Sequence, residues 1–353
     1  MKNGMLAAML RTPGAITLEN VERPDPGPGE ILLKVEACAL CGTDKRVLAG
    51  QKPVSVPIIG HEIAGTIAAL GQGVRPGLAA GMRCAVQTVI GCGDCPMCLV
   101  HRENLCERGF TAIGYAYNGG FSEYILIPAA AVAQGCLIPL PNMMDAELGT
   151  LLEPLSCGIN GLRDIPFAGM GHVGVVGAGV IGTLNGLIAR ARGAKRVSIF
   201  NRSRGKLDVL AGLRLPFDDL VNMAVTDPAA WIAGETGGRG LDCVILSASE
   251  KSLAGRCLPW LARGGHLSLF AGMPKDDCVE PIDLNLIHYR ELHLHGANSS
   301  VRRDYEEAME MLTSGRIDGK SLITDRFPLK EFAAAVRKQN DPASGALKVV
   351  ILP

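Results

Sequence analysis

The stretch Val173–Gly182, VGVVGAGVIG, limits the fold more than any other part of the sequence. Four strand-like residues run into Gly177, Gly179 and Gly182, spaced G-x-G-x-x-G, and an apolar helical pattern follows over Val180–Arg192. Glycines at those three places allow a tight turn, close approach of backbone to a pyrophosphate, and close helix–strand packing. The helix opening with Val180 and Ile181 offers N–H groups and the positive end of its dipole to phosphates. A dinucleotide-binding βαβ unit is therefore expected here.

The surroundings extend that reading. Strand-like and helical runs alternate at Arg196–Phe200, Lys206–Leu213, Asp242–Ser247 and Gly265–Phe270, the texture of a doubly wound parallel α/β sheet. Upstream the chain is rich in glycine and proline, with strand candidates at Ile31–Ala37, Glu62–Leu70, Arg83–Val89 and Phe121–Pro128, which suggests a barrel-like β domain. Toward the end, Tyr305, Ala308, Met309 and Leu312 share one helical face that Gly315 is placed to end, and Leu347–Leu352 reads as a closing strand. A length of 353 residues accommodates two such domains.

Composition excludes several functions. Thirty-five Lys plus Arg balance thirty-five Asp plus Glu, so the chain has no general basic surface for nucleic acid. The apolar run Met5–Leu10 is too short for a signal peptide core, and no stretch is apolar for long enough to span a bilayer. A cytoplasmic location is expected. In that reducing compartment, clustered members of the twelve cysteines suit metal better than disulfides.

Beyond the glycine loop, the next strand runs RVSIFNRSRGK. An acidic residue at its end would accept hydrogen bonds from the adenosine ribose and select NAD. Asn201 stands there instead, followed by Arg202 and Arg204, which suits a 2′-phosphate and favours NADP over NAD.

Three further motifs carry metal chemistry. CGTD (Cys41–Asp44) and GHE (Gly60–Glu62) supply thiolate, imidazole and carboxylate, and LLEPLSC adds Glu153. Between GHE and Glu153 lies CGDCPMCLVHRENLC, with Cys92, Cys95, Cys98 and Cys106 at spacing C-x2-C-x2-C-x7-C. Four thiolates close a tetrahedral zinc and leave no open position for a substrate. A redox pair and a nucleic-acid knuckle are the other readings of that quartet.

Taken in order, CGTD, GHE, the cysteine lobe, EPL and VVGAGVIG resemble the zinc-dependent medium-chain dehydrogenase/reductase family, which includes alcohol, sorbitol and threonine dehydrogenases. The resemblance implies a GroES-like β-rich catalytic domain at 1–154 with a structural zinc lobe at about 91–107. It also implies a Rossmann NAD(P)-binding domain at 155–294 and a return to the catalytic domain at 295–353. By the same resemblance, Cys41 and His61 hold a catalytic zinc, Glu62 and Glu153 compete to complete it, and the four lobe cysteines hold a second zinc. Thr43 matches the hydroxyl that relays the alcohol proton.

The implied reaction moves a hydride between a secondary alcohol and NAD(P), giving a ketone. Many relatives carry a histidine two residues after the Asp of CGTD; this chain has Lys45 and Arg46, on a loop with no aromatic residue from Cys41 to Gly60. A polyol, sugar alcohol or its phosphate suits such a loop. Asn298 and Ser299, in GANSS, could contact substrate hydroxyls. Threonine or another amino alcohol is the second expectation, and a non-catalytic NADPH-binding relative a remote third. The family further implies a homodimer or homotetramer.

Overall fold

The computed structural model of the chain describes residues 4–12, 14–273 and 276–353. Two compact units emerge: Met1–Ser156 with Ser300–Thr313 and Asp318–Pro353, and Cys157–Ser299 with Ser314–Ile317.

The first unit is organised by a seven-stranded sheet. Its central strand, Ile31–Ala39 (ILLKVEACA), buries nearly every residue while Lys34 stays exposed. Glu62–Leu70, Tyr124–Ile127 and Lys348–Leu352 all pair with it antiparallel. Ile31, Leu33, Ile63, Ile67, Phe121 and Ile351 meet in one core cluster. Each such side chain contributes about 1.5–3 kcal/mol by leaving water.

Strand register places the functional groups. Ala39 lies opposite both Glu62 and Val350. Because the neighbours run antiparallel, the end of the central strand and the beginnings of the other two coincide at one edge of the sheet. Cys41 follows that end by two residues, Glu62 opens its strand, and Lys348 opens the last strand of the chain.

Some sequence expectations shift. The apolar run Met5–Leu10 lies within the strand Gly4–Thr12, which pairs antiparallel with Ala15–Glu22. The strand expected over Arg83–Val89 stops at Val86, because the Gln87 N–H turns to the Cys136 carbonyl at 2.7 Å. Val89–Ile90 pairs instead with Thr111–Ala112. The strand expected over Phe121–Pro128 is confined to Tyr124–Ile127. In the helix Arg302–Thr313 the buried face carries Asp304, Tyr305, Ala308, Met311 and Leu312, leaving Met309 at its shoulder. Asp304 is drawn inward by accepting the Val301 N–H at 2.9 Å, which rotates the inner face.

The second unit is a six-stranded parallel sheet. In spatial order the strands are Asp219–Asn222, Val197–Asn201, Val173–Val176, Leu241–Leu246, Leu261–Leu269 and His293–Gly296. Chain order reverses beside Val173–Val176, the place where a doubly wound sheet receives a dinucleotide. That strand is buried on both faces, as parallel strands sandwiched by helices are. The strand expected from Gly265 begins earlier, at Leu261.

Candidate active site

Cys41 caps the helix Gly42–Leu48. Its sulfur accepts the Thr43 N–H at 3.5 Å, and its own N–H donates to Asp44 Oδ2 at 2.9 Å. The capping box therefore fixes the thiol while turning Asp44 inward, where it is 2% exposed. Asp44 Oδ1 lies 3.5 Å from His61 Nδ1. A carboxylate at one ring nitrogen sets the tautomer and leaves the other for a metal. The ligand atoms of Cys41, His61 and Glu62 all lie within 4.8 Å of one another. One thiolate, one imidazole and one carboxylate this close could hold a zinc, which would leave a fourth position for water or substrate.

Glu62 is 1% exposed, and so is the lysine that faces it, Lys348. Their side chains form an ion pair, and the Lys348 ammonium also donates to the Leu40 carbonyl at 3.3 Å. Burial pushes the Glu62 carboxyl up, opposed first by Lys348. For Lys348 burial acts downward, yet the carboxylate of Glu62 leaves its pKa raised. Lys348 thus supplies the counter-charge that favours an ionised Glu62, although burial still leaves that carboxyl raised to about 7.

Glu153 opens the helix Leu152–Gly161 and is half-buried. It falls outside the three-residue cluster, although its charge raises the Glu62 carboxyl and the Tyr115 hydroxyl. Tyr115 presses its hydroxyl against the His61 ring, 3.2 Å from Nδ1 and 3.3 Å from Nε2. Burial works against a charged His61, but Tyr115, Cys41 and Asp44 outweigh it and raise its pKa well above the usual value.

The cysteine lobe forms a second centre. The sulfurs of Cys92, Cys95, Cys98 and Cys106 lie within 4.8 Å of one another, and all four cysteines are free of disulfides. The Cys92–Cys98 and Cys95–Cys106 separations are both 3.9 Å. A tetrahedral zinc with bonds of about 2.3 Å has sulfur–sulfur edges of about 3.8 Å, so the quartet fits the ion. The thiol of Cys95, at the N-cap of Pro96–Leu99, is lowered to about 6 by backbone N–H groups of Cys98 and Glu107. At the lobe's entry the Gln134 amide clamps Gly91, accepting from its N–H at 3.0 Å and donating to its carbonyl at 2.9 Å.

In the second unit Gly177 has φ +119, and Gly179 caps the helix Val180–Ala191. A Cβ on Gly182 would sit 1.8 Å from the Gly177 carbonyl oxygen, so no side chain fits where this helix meets its strand. Val180 and Ile181 are half-buried in the first turn. Asn201 reaches the loop: its Oδ1 accepts the Ala178 N–H at 3.3 Å and its amide donates to the Ser203 carbonyl at 3.0 Å. The exposed guanidiniums of Arg202 and Arg204 pair with Glu250 and Asp208, each at 2.8 Å. Exposed pairs are worth at most about 1 kcal/mol, so a stronger anion can displace either carboxylate.

Of the proposed substrate contacts, Lys45 is exposed and Arg46 half-buried on the helix Gly42–Leu48. Asn298 is exposed and Ser299 half-buried in the second unit, where their carbonyls accept from Asn160 at 3.2 and 2.7 Å. Four residues around the first centre escaped the sequence reading: Asp44 in its capping role, Tyr115, Lys348 and Lys52. The Lys52 ammonium rests over the Tyr115 ring, 4.2 Å from its centroid.

Comparison with known proteins agrees with this architecture. Residues 27–141 match the alcohol dehydrogenase GroES-like domain, and residues 180–314 match the zinc-binding dehydrogenase domain. A chain from Sinorhizobium meliloti 1021, provisionally designated a zinc-binding dehydrogenase and crystallised with NADP, is 32% identical with a TM-score of 0.89, covering 99% of this chain and 100% of that one. The L-threonine 3-dehydrogenase of Thermococcus kodakarensis is 30% identical over 99% of this chain and 98% of its own length. The 2-dehydro-3-deoxy-L-galactonate 5-dehydrogenase of Pseudoalteromonas atlantica is 30% identical over 92% of each chain. The chain belongs to the zinc-dependent medium-chain dehydrogenase/reductase family.

Proposed function

We propose that the protein is a zinc-dependent alcohol dehydrogenase that transfers a hydride between a secondary alcohol and NAD(P), with polyols, sugar alcohols or their phosphates as substrates. The observation that carries this reading is the convergence of Cys41, His61 and Glu62 at one sheet edge, in a chain that also holds a glycine-loop nucleotide unit. Zinc, when bound, supplies a Lewis acid that lets an alcohol lose its proton near neutral pH, and the nicotinamide is the hydride acceptor.

The chain's own residues do the rest. Cys41, His61 and Glu62 would hold the metal, and Glu153 would complete the site or hold its water. Asp44 orients the imidazole, and Lys348 favours an ionised Glu62. Thr43 is the hydroxyl that takes the alcohol proton. An arginine cannot pass that proton on at ordinary pH, so Arg46 binds rather than relays, and the proton leaves through water or the cofactor ribose. Cys92, Cys95, Cys98 and Cys106 hold a second zinc that fixes a loop and takes no part in turnover.

NADP is the favoured cofactor. Asn201 supplies no negative charge to repel a 2′-phosphate, while Arg202 and Arg204 stand beside it. Lys45, Arg46, Asn298 and Ser299 are proposed substrate contacts. Among the described residues no helix is long and apolar enough to cross a membrane. We place the enzyme in the cytoplasm as a homodimer or homotetramer.

A threonine or amino-alcohol substrate is the second reading, favoured by the identity with the Thermococcus enzyme. One screen separates the two: polyols, their phosphates and L-threonine, each with NAD and NADP. The proposal expects polyol-type oxidation with the higher kcat/KM for NADP. Preference for L-threonine or for NAD would overturn the respective part.

A further inference from the structure

Among the described residues, two cations near Cys41, His61 and Glu62 have no counter-ion. The helix Gly42–Leu48 carries Arg46, and the chain then folds back so that the Gln51 and Lys52 N–H groups both donate to the Arg46 carbonyl, at 2.8 and 3.3 Å. That turn sets Lys52 beside Arg46, and Lys52 is half-buried with its ammonium 4.2 Å from the Tyr115 ring centroid. The Tyr115 and His61 rings are 5.1 Å apart, so the ammonium lies within about 9 Å of the imidazole. Among the described residues, neither Lys52 nor Arg46 has a carboxylate at ion-pair distance, whereas Arg202 and Arg204 each have one. The groups acting on Lys52 belong to the reaction centre. Burial first, and then Arg46, lower the Lys52 pKa against the opposing pull of Cys41, Asp44 and Glu153, so an anion seated there would restore the favoured charge.

An unpaired, half-buried cation pair is costly unless an anion joins it. The ring of Tyr115 offers partial compensation through its negative face. We infer that Lys52 and Arg46 form an anion seat, with Lys52 held in place by Tyr115, and that the alcohol oxidised here carries a carboxylate or phosphate on a short polyhydroxylated chain. This rests on the alcohol dehydrogenase reading above and makes its substrate class definite. Lys52 and Tyr115 become the residues that set specificity, alongside Arg46. An amino-acid alcohol suits the seat less well than a sugar acid, because its α-ammonium lies beside the carboxylate and is drawn with it against the two cations.

The test uses the zinc- and NADP-loaded full chain with three matched substrates: a hexitol, the hexonate and the hexitol phosphate. The wild type is expected to favour one anionic substrate over the hexitol by about tenfold or more in kcat/KM; which anion wins identifies carboxylate or phosphate. Lys52→Gln should shrink that anionic-to-neutral ratio by roughly tenfold to a hundredfold, mainly through KM, as expected for one lost charge-assisted contact. Lys52→Arg should restore most of it. Calorimetric titration with inorganic phosphate gives a second readout, with weaker binding to Lys52→Gln. A wild type that prefers the neutral hexitol, or prefers L-threonine, overturns the inference while leaving the dehydrogenase reading intact. An unchanged ratio in Lys52→Gln does the same. Absence of any alcohol oxidation would instead remove the reading on which the inference stands.

Discussion

Replacing Lys348 with Met tests how the reaction centre is held together. Lys348 and Glu62 are each 1% exposed and face one another across the sheet edge. Lys348→Met keeps most of the volume but strands a buried carboxylate. Removing one partner of a buried ion pair costs about 3–5 kcal/mol, far more than an exposed pair. The lost bond to the Leu40 carbonyl, about 1.5–3 kcal/mol for a charged donor, forms part of that cost. Protonation of Glu62 is its only escape, and that gives the effect a pH signature.

In the variant the folded Glu62 pKa sits above its ordinary value of 4.5, since burial remains and Lys348 is gone. A carboxyl raised in the folded state loses stability as pH climbs from that ordinary value toward the folded one. The deficit should therefore be small in acid and grow toward neutral pH. In the wild type, Lys348 is raised above 10.5, so its contribution is complete below that value and fades only above it.

Both tryptophans, Trp231 and Trp260, lie in the nucleotide-binding unit, so their fluorescence serves as a reference. Amide exchange over Ile31–Ala39 in the metal-free protein reports the affected unit. That strand should lose about 3–5 kcal/mol of protection at neutral pH. The double variant Glu62→Gln, Lys348→Met should recover much of it, because no unpaired charge remains. A loss under about 1 kcal/mol, or one independent of pH, would refute the charged-pair argument.

Two further outcomes follow from the metal centres. Cys106→Ser, or Gly91→Ala, whose new Cβ would lie 2.6 Å from the Cys98 sulfur, should release the lobe zinc and lower thermal stability while turnover per folded molecule survives. Metal analysis with calorimetry checks this, and loss of turnover with stability unchanged would contradict it. At the first centre, metal-free His61 has a raised pKa, so zinc must displace its proton. Zinc affinity should rise steeply between about pH 6 and pH 8. The His61 contribution to metal-free stability is complete below its ordinary 6.5 and falls as pH rises through the folded pKa, opposite in sign. Chelator competition and denaturation at the two pH values measure both trends; trends of the same sign would contradict the argument.

What the sequence revealed depended on whether a group's chemistry was local. Cys41, His61 and Glu62 stand in short motifs of ligand residues, and the four lobe cysteines announce themselves by spacing, so both clusters were legible. The glycine loop was legible for the same reason. Lys348 was not, because it reaches the centre only through strand register, 308 positions after Leu40. Asp44 read as part of CGTD, but its inward turn arises from a capping box. The loop after Cys41 lacks aromatics, and the aromatic side chain against His61 comes instead from Tyr115, in a distant turn. Lys52 joined it only once the backbone folded onto Arg46. The strand Gly4–Thr12 was hidden because a short apolar run carries no partner information.

The central claim is that turnover needs a zinc held by Cys41, His61 and Glu62, apart from a second zinc in the cysteine lobe. The direct measurement is a titration of zinc into metal-free protein with a polyhydroxy alcohol and NADP, following nicotinamide reduction alongside bound metal in the wild type and in His61→Ala. The wild type should take up two zinc ions per chain and gain activity with one of them, while His61→Ala should bind one and stay inactive. Full activity without zinc, or in His61→Ala, would contradict the account.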